Sequence, residues 1–201
     1  TDGADVVGLL CLRTAKSGGL SSLVSSMSVY NRMATQRPDL ARRLAAPIPF
    51  DRRGEIPEGL GPWFAIPLIL EHAGRLTIHY SRRNIDSSQR HADAPRLTPE
   101  DNEALDLFDT LANDADLRLD MALAPGDMQF LHNHTILHDR TSFEDWPEEH
   151  RKRHLLRLWL APADGRALHP AMAQRFGSVA IGDRGGILVP GSRVHAPLEA
   201  V

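Results

Sequence analysis

The hydrophobic pattern along the chain changes period several times, and each change marks an element. Residues 5–13 are almost continuously apolar (Val6-Val7-Gly8-Leu9-Leu10-Cys11-Leu12 at their centre), which predicts a β-strand buried on both faces. Lys16-Ser17-Gly18-Gly19 reads as a turn, and Ser21-Ser22 can cap a helix running from about Leu23 to Gln36. Pro38 opens a second, short helix to about Leu44, with Asp39 placed in its first turn to suit the helix dipole. Pro47 to Pro62 mixes proline, glycine and charge and predicts a long loop holding a short strand near Ile48 to Phe50. Trp63–Leu70 and Leu76–Tyr80 predict a hairpin-like pair of strands around Glu71-His72-Ala73-Gly74. Ser81 to Arg96 is polar and aperiodic, an expected irregular segment able to cover a site. Thr98-Pro99-Glu100-Asp101 combines a cap, an N-terminal proline and acids, and Leu105, Leu107, Phe108 and Leu111 give the helix after it an apolar face as far as Asn113.

Beyond this helix the period shortens. Leu117, Leu119, Met121 and Leu123 alternate with Arg118, Asp120 and Ala122, a strand with one wet face. A Pro125-Gly126-Asp127 turn leads to further strands at Met128–Leu131 and His154–Leu160, and residues 161–201 read as a turn-rich peripheral tail containing the run Gly182 to Gly186. Short strands, long connections and a few helices without regular strand–helix alternation predict a mainly β fold with flanking helices, a jelly roll, forming a single domain over 1–201. The chain opens Thr1-Asp2-Gly3 without a methionine and enters an apolar run at once, so it reads as truncated on its N-terminal side.

Composition narrows the function classes. With 201 residues, 42% hydrophobic and 24% charged, the chain is long and apolar enough for a sizeable core. A formal net charge of −3 gives no electrostatic reason to expect nucleic acid or an anionic membrane surface as a partner. No apolar run approaches the roughly 20 residues that cross a bilayer, and no secretory signal pattern opens the chain. Cys11 is the single cysteine, which rules out an internal disulfide; in its apolar run it reads as a small buried thiol, and a cytoplasmic location fits.

The candidate chemistry gathers between Leu131 and Trp159, which holds five of the ten histidines. His138, close to a strand, is the favoured metal-ligating imidazole. His132 and His134 share its parity and on an unbroken strand would give a three-histidine, cupin-like site, although Asn133-His134 looks like a bend. Asp2 is the candidate carboxylate, since two imidazoles and one carboxylate on one face of Fe(II) leave positions open for oxygen chemistry. In a strand, Arg153, Leu155, Arg157 and Trp159 share a face, and two guanidiniums directed the same way within an apolar strand call for anionic partners. A bidentate grip on a ligand carboxylate is one solution; surface pairs with Glu144, Glu148 or Glu149 are the other.

The pattern His138-x-Arg140-Thr141-x-Phe143 followed by Arg153-x-x-x-Arg157 resembles the C-terminal half of the TauD/TfdA-like Fe(II)/2-oxoglutarate-dependent oxygenases. Thr1-Asp2-Gly3 is similar to the residues directly after the first histidine of their His-x-Asp motif, and Gly18-Gly19-Leu20-Ser21 stands at their Gly-Gly-x-Thr/Ser turn. The resemblance spans residues 1 to about 160. It implies a double-stranded β-helix, Asp2 and His138 as iron ligands, Arg153 holding the distal carboxylate of 2-oxoglutarate, Ser21 as an accessory donor, and Arg157 near the cosubstrate or an anionic substrate group. The implied activity is O2-dependent oxidation of a small organic substrate, with 2-oxoglutarate decarboxylated to succinate; self-association is frequent in such proteins. The first histidine of His-x-Asp would precede Thr1. A non-catalytic jelly-roll module that binds a small acid through Arg153 and Arg157 is the alternative.

Overall fold

The computed structural model describes residues 2–186 and residue 191. Thr1 and most of the end of the expected tail lie outside the described residues. In chain order the elements are β1 (Val6–Arg13), β2 (Ser17–Gly18), β3 (Ser21–Ser25), α1 (Ser26–Gln36), α2 (Pro38–Leu44), β4 (Pro47–Asp51), β5 (Trp63–Pro67), β6 (Ile69–His72) and β7 (Arg75–Ile78). They continue with α3 (Arg82–Ser88), α4 (Pro99–Ala112), β8 (Arg118–Met121), β9 (Met128–His132), β10 (Ile136–Arg140), β11 (Phe143–Glu144), β12 (His154–Leu160) and α5 (Ala173–Phe176). This is a mixed fold of short antiparallel strands with flanking helices. No helix among the described residues is long and apolar enough to cross a membrane.

Two three-stranded sheets carry the candidate residues, one ordered β12-β1-β9 and the other β10-β3-β8. In the first, Leu9 faces Arg157 on one side and Gln129 on the other, so β1 is the central strand and its far neighbours come from the opposite end of the sequence. In the second, His138 pairs with Leu23. The core lies to one side of these sheets: Val29, Met33, Leu44, Ile48, Phe50, Ile66, Leu68, Ile85, Leu105 and Phe108 are wholly enclosed where α1–α4 pack on β4 and β5. The capping box at Thr98 is complete, with Asp101 N–H donating to the Thr98 hydroxyl and the Asp101 carboxylate accepting from Thr98 N–H.

Four expectations change. Trp63–Leu70 is not one hairpin strand: Trp63–Pro67 pairs with β4, and only β6 forms the hairpin with β7. The helix expected from Leu23 begins only at Ser26, capped by Ser25; Ser21–Ser25 is drawn into a strand because β8 and β10 hydrogen-bond to both its edges, and pairing outweighs local capping preference. Residues 81–96 are not an irregular cover. Arg82 ties α3 to α4 through Asp106 and Asp109, Ile85 is fully buried, and Arg96 donates to the carbonyls of Gln89, His91 and Ala92. β1 is not buried on both faces. Val7 and Cys11 point inward, whereas the outer side of the same sheet exposes Met128, Phe130, Leu156 and Leu158, each more than 45% accessible.

Candidate active site

The site starts from a bend. β9 ends at His132 and β10 begins at Ile136, so Asn133-His134-Thr135 breaks the strand and with it the shared parity of the three histidines. Each imidazole then takes a different partner. His132 Nδ1 lies 2.8 Å from the Thr135 hydroxyl, His134 Nε2 lies 2.6 Å from Asp5 Oδ1, and His138 Nε2 lies 3.6 Å from Asp2 Oδ2. The three-histidine arrangement is therefore not formed. Among the described residues no group of three His, Cys, Asp or Glu side chains is spaced to hold a metal.

Asp2 and His138 do meet, and both are mostly enclosed, with side chains 17% and 13% exposed. Arg157 Nη1 donates to both Asp2 oxygens at 3.3 and 3.2 Å, and Trp159 Nε1 donates to Oδ2 at 3.1 Å. Burial alone would raise the Asp2 pKa; the His138 contact and the Arg157 charge outweigh it and lower the pKa to about 2. The carboxylate is thus ionised at any ordinary pH. His138 Nδ1 is buried without a hydrogen-bond partner.

The same face of β12 reaches a second feature. Arg153, four residues before Arg157 and about 13 Å away along a strand, lines a cavity of about 80 Å³ with Cys11, Gly19, Leu20, Leu123 and Leu155. That is room for two or three waters or for the end of a dicarboxylate. Among the described residues no carboxylate lies within ion-pair distance of Arg153, while Glu144, Glu148 and Glu149 pair with Lys16, Arg151 and Lys152 instead. Burial lowers the Arg153 pKa, and Arg140 adds to the effect. Gly19, at φ 71°, lets the arginine lie where it does: a Cβ there would stand 3.2 Å from Arg153 Nε. Ser21 is buried beside this region but donates its hydroxyl proton to Gln129 Oε1 at 2.9 Å, and it does not line the cavity. Cys11 is buried, its thiol pKa raised by burial.

Several residues given no role from sequence hold this geometry. The Asn133 side-chain N–H groups donate to the carbonyls of Asp2 and Ala4 at 2.8 and 2.6 Å, and Asn133 N–H donates to Asp5 O at 2.9 Å. Asp5 is locked between His134 and Arg184, whose Nε donates to both carboxylate oxygens at 3.0 and 2.9 Å. Burial pushes the Asp5 pKa up, but those two partners together bring it below the usual carboxylate value. No periodicity flags such ties, because each joins residues more than 120 positions apart.

The family model for "Taurine catabolism dioxygenase TauD, TfdA family" matches residues 1–159. The chain belongs to the TauD/TfdA dioxygenase family. It is 33% identical over 168 residues to the FR-33289 synthase of Streptomyces rubellomurinus, a match covering 83% of this chain and 50% of that protein. It is 35% identical over 161 residues to the taurine hydroxylase-like protein SAT17 of Stachybotrys chartarum, covering 79% of this chain and 40% of that one. Among solved structures, an asparagine oxygenase in complex with Fe(II), 3-hydroxyasparagine and succinate superposes with a TM-score of 0.59 at 20% identity, over 81% of this chain and 50% of the other. The chain thus spans about half the length of the curated relatives it matches.

Proposed function

We propose that the chain is the cosubstrate-binding part of an Fe(II)/2-oxoglutarate-dependent oxygenase acting on a small organic substrate, with a double-stranded β-helix completed by residues preceding Thr1. The observation that carries this is the Arg153 guanidinium in its cavity, over the Phe143 ring and without a carboxylate partner among the described residues, close to the strand face that delivers Arg157 and Trp159 to Asp2. The donor set suits iron as far as it goes. An ionised carboxylate and an imidazole lie 3.6 Å apart, close to the roughly 3 Å between adjacent ligands of a metal bound at about 2.1 Å. Asp2 and His138 would hold the metal together with a histidine before Thr1. Iron and 2-oxoglutarate together would supply the oxidising power for O2 chemistry.

The chain's own residues contribute binding and order. Arg153 would grip the distal carboxylate of 2-oxoglutarate bidentately, with Leu155, Leu20 and Leu123 excluding water from the pair. Arg157 keeps Asp2 ionised and oriented, and Trp159 fixes the carboxylate plane by its N–H. Ser21 would act as an accessory donor after turning its hydroxyl from Gln129. The asparagine oxygenase holds a hydroxylated amino acid, and a substrate of that size with an anionic group suits a site this rich in arginine. Replacing Arg153 with leucine should raise the 2-oxoglutarate requirement at least a hundredfold, since breaking a buried charge-assisted pair costs about 3–5 kcal/mol. An unchanged requirement in a succinate-release assay would remove Arg153 from this role. The absence of a third ligand among the described residues favours a second reading, a module that binds a small acid without turnover; a residue other than a ligand just before Thr1 would select it.

A further inference from the structure

Arg175 lies on the short α5, and its side chain is only 13% exposed. Its Nη2 stands 3.2 Å from where a Cβ of Gly3 would be, so the guanidinium rests against the residue next to Asp2. The carboxylate nearest to it is Glu55, with Oε2 3.9 Å from Nη2, too long for a hydrogen bond, and Glu55 itself is 43% exposed. Among the described residues no hydrogen bond reaches the Arg175 guanidinium. A second guanidinium, Arg52, is close enough to repel it, and Arg52 is already committed to the carbonyls of Gly61 and Gln174 and to the face of Phe64. Asp2 also attracts it from beyond ion-pair distance, and an arginine this enclosed, with no hydrogen-bonded carboxylate among the described residues, is costly unless an anion completes it. Arg157 cannot serve in the same way without leaving Asp2.

We propose that Arg175 is the binding residue for an anionic end group of the substrate, a carboxylate or a phosphate, held beside Asp2 by two parallel N–H···O bonds. Both groups present paired oxygens that match the guanidinium fork. Glu55 occupies the approach as a weak internal competitor, loosely placed and easily displaced. The proposal deepens the oxygenase reading and rests on it, because it names the group by which the substrate of that reaction is held.

The test is calorimetric titration of the protein with propionate and with methyl phosphate as probes. At least one probe should bind the unaltered protein in the millimolar range, and the stronger of the two identifies the source of the anion. Arg175→Gln should weaken that probe about tenfold or more, corresponding to a loss of about 1.4 kcal/mol, while 2-oxoglutarate affinity stays within about twofold of the unaltered value. Glu55→Gln should strengthen probe binding by freeing the guanidinium. Arg175→Lys, which keeps the charge, should fall between the unaltered protein and Arg175→Gln, and it serves as the readout if the glutamine variant does not fold. Failure of both probes to bind, equal binding by Arg175→Gln, or no gain in Glu55→Gln would each overturn the assignment. Arg153→Leu is the separating control: if it leaves 2-oxoglutarate binding intact, the oxygenase reading fails whatever Arg175 does.

Discussion

Asn133 offers the sharpest test of how the site is held. Its amide is 3% exposed, and its two N–H donors end on the carbonyls of Asp2 and Ala4. Both acceptors are carbonyls, so the NH2 group must face them and the side-chain oxygen must face away. That oxygen is buried without a hydrogen-bond partner. Asn133→Ala removes two hydrogen bonds, each worth about 1–1.5 kcal/mol net, and should lower stability by about 2–3 kcal/mol. Asn133→Asp keeps the size but aims carboxylate oxygens at two carbonyls, and should cost about 3–5 kcal/mol as an unpaired buried charge. The predicted order of stability is therefore asparagine, then alanine, then aspartate. Urea unfolding read by circular dichroism gives the order directly from the midpoints, provided the slopes agree. Metal titration should show a fall of about 10–100-fold in affinity for the alanine variant, the usual effect of losing a group that orients a ligand. If aspartate proves as stable as alanine, Asn133 acts by shape and the clamp on Asp2 is refuted.

The same geometry sets other outcomes. Gly19→Ala places a side chain at φ 71° and against Arg153; it should cost about 1–2 kcal/mol of stability and raise the 2-oxoglutarate concentration needed for half-saturation, which succinate release would measure. Asp5→Asn strips the fully enclosed Arg184 side chain of its counter-charge and should destabilise by about 3–5 kcal/mol. Because the Asp5 pKa is lowered in the folded state, its contribution is complete above the ordinary carboxylate pKa and fades as pH falls through the folded value. Denaturation curves below about pH 4 should accordingly be flatter for Asp5→Asn than for the unaltered chain. Thr98→Ala removes the hydroxyl half of the capping box of α4 and leaves the backbone half, Thr98 N–H to the Asp101 carboxylate, in place; it should lower stability by about 1 kcal/mol without changing 2-oxoglutarate affinity.

Much of the fold is legible because its signals are local. The α4 boundaries follow from Thr98, Pro99 and Asp101, and β12 from alternation over His154–Leu160, and both appear as expected. The misread stretches are those where distant contacts override local preference. Ser21–Ser25 carries good caps and becomes a strand because two other strands claim its edges. Residues 81–96 look aperiodic because α3 buries one apolar side chain, Ile85, beside the polar Ser88, and is held by arginine bonds to another helix. For the site, parity puts Leu155, Arg157 and Trp159 on one face of β12, with Arg153 just before the strand, and the bend at Asn133 is visible as a likeness to a turn. The clamp of Asn133, the lock of Asp5 and the enclosure of Arg175 are not visible, since hydrogen bonds across the fold leave no periodic trace.

The central position of β1 also sets a timetable. Asp2 and Arg157 are separated by 155 residues and joined only through the pairing of β1 with β12. During synthesis the Asp2 carboxylate emerges long before its arginine and indole partners, Arg157 and Trp159. Closing so long a loop is slow and is repaid only once β12 docks. Until then Asp2 has neither Arg157 nor Trp159, and until β10 is made it lacks His138 as well. A chain that stops short of β12 therefore holds scattered ligands, and the pocket forms only once that strand is in place.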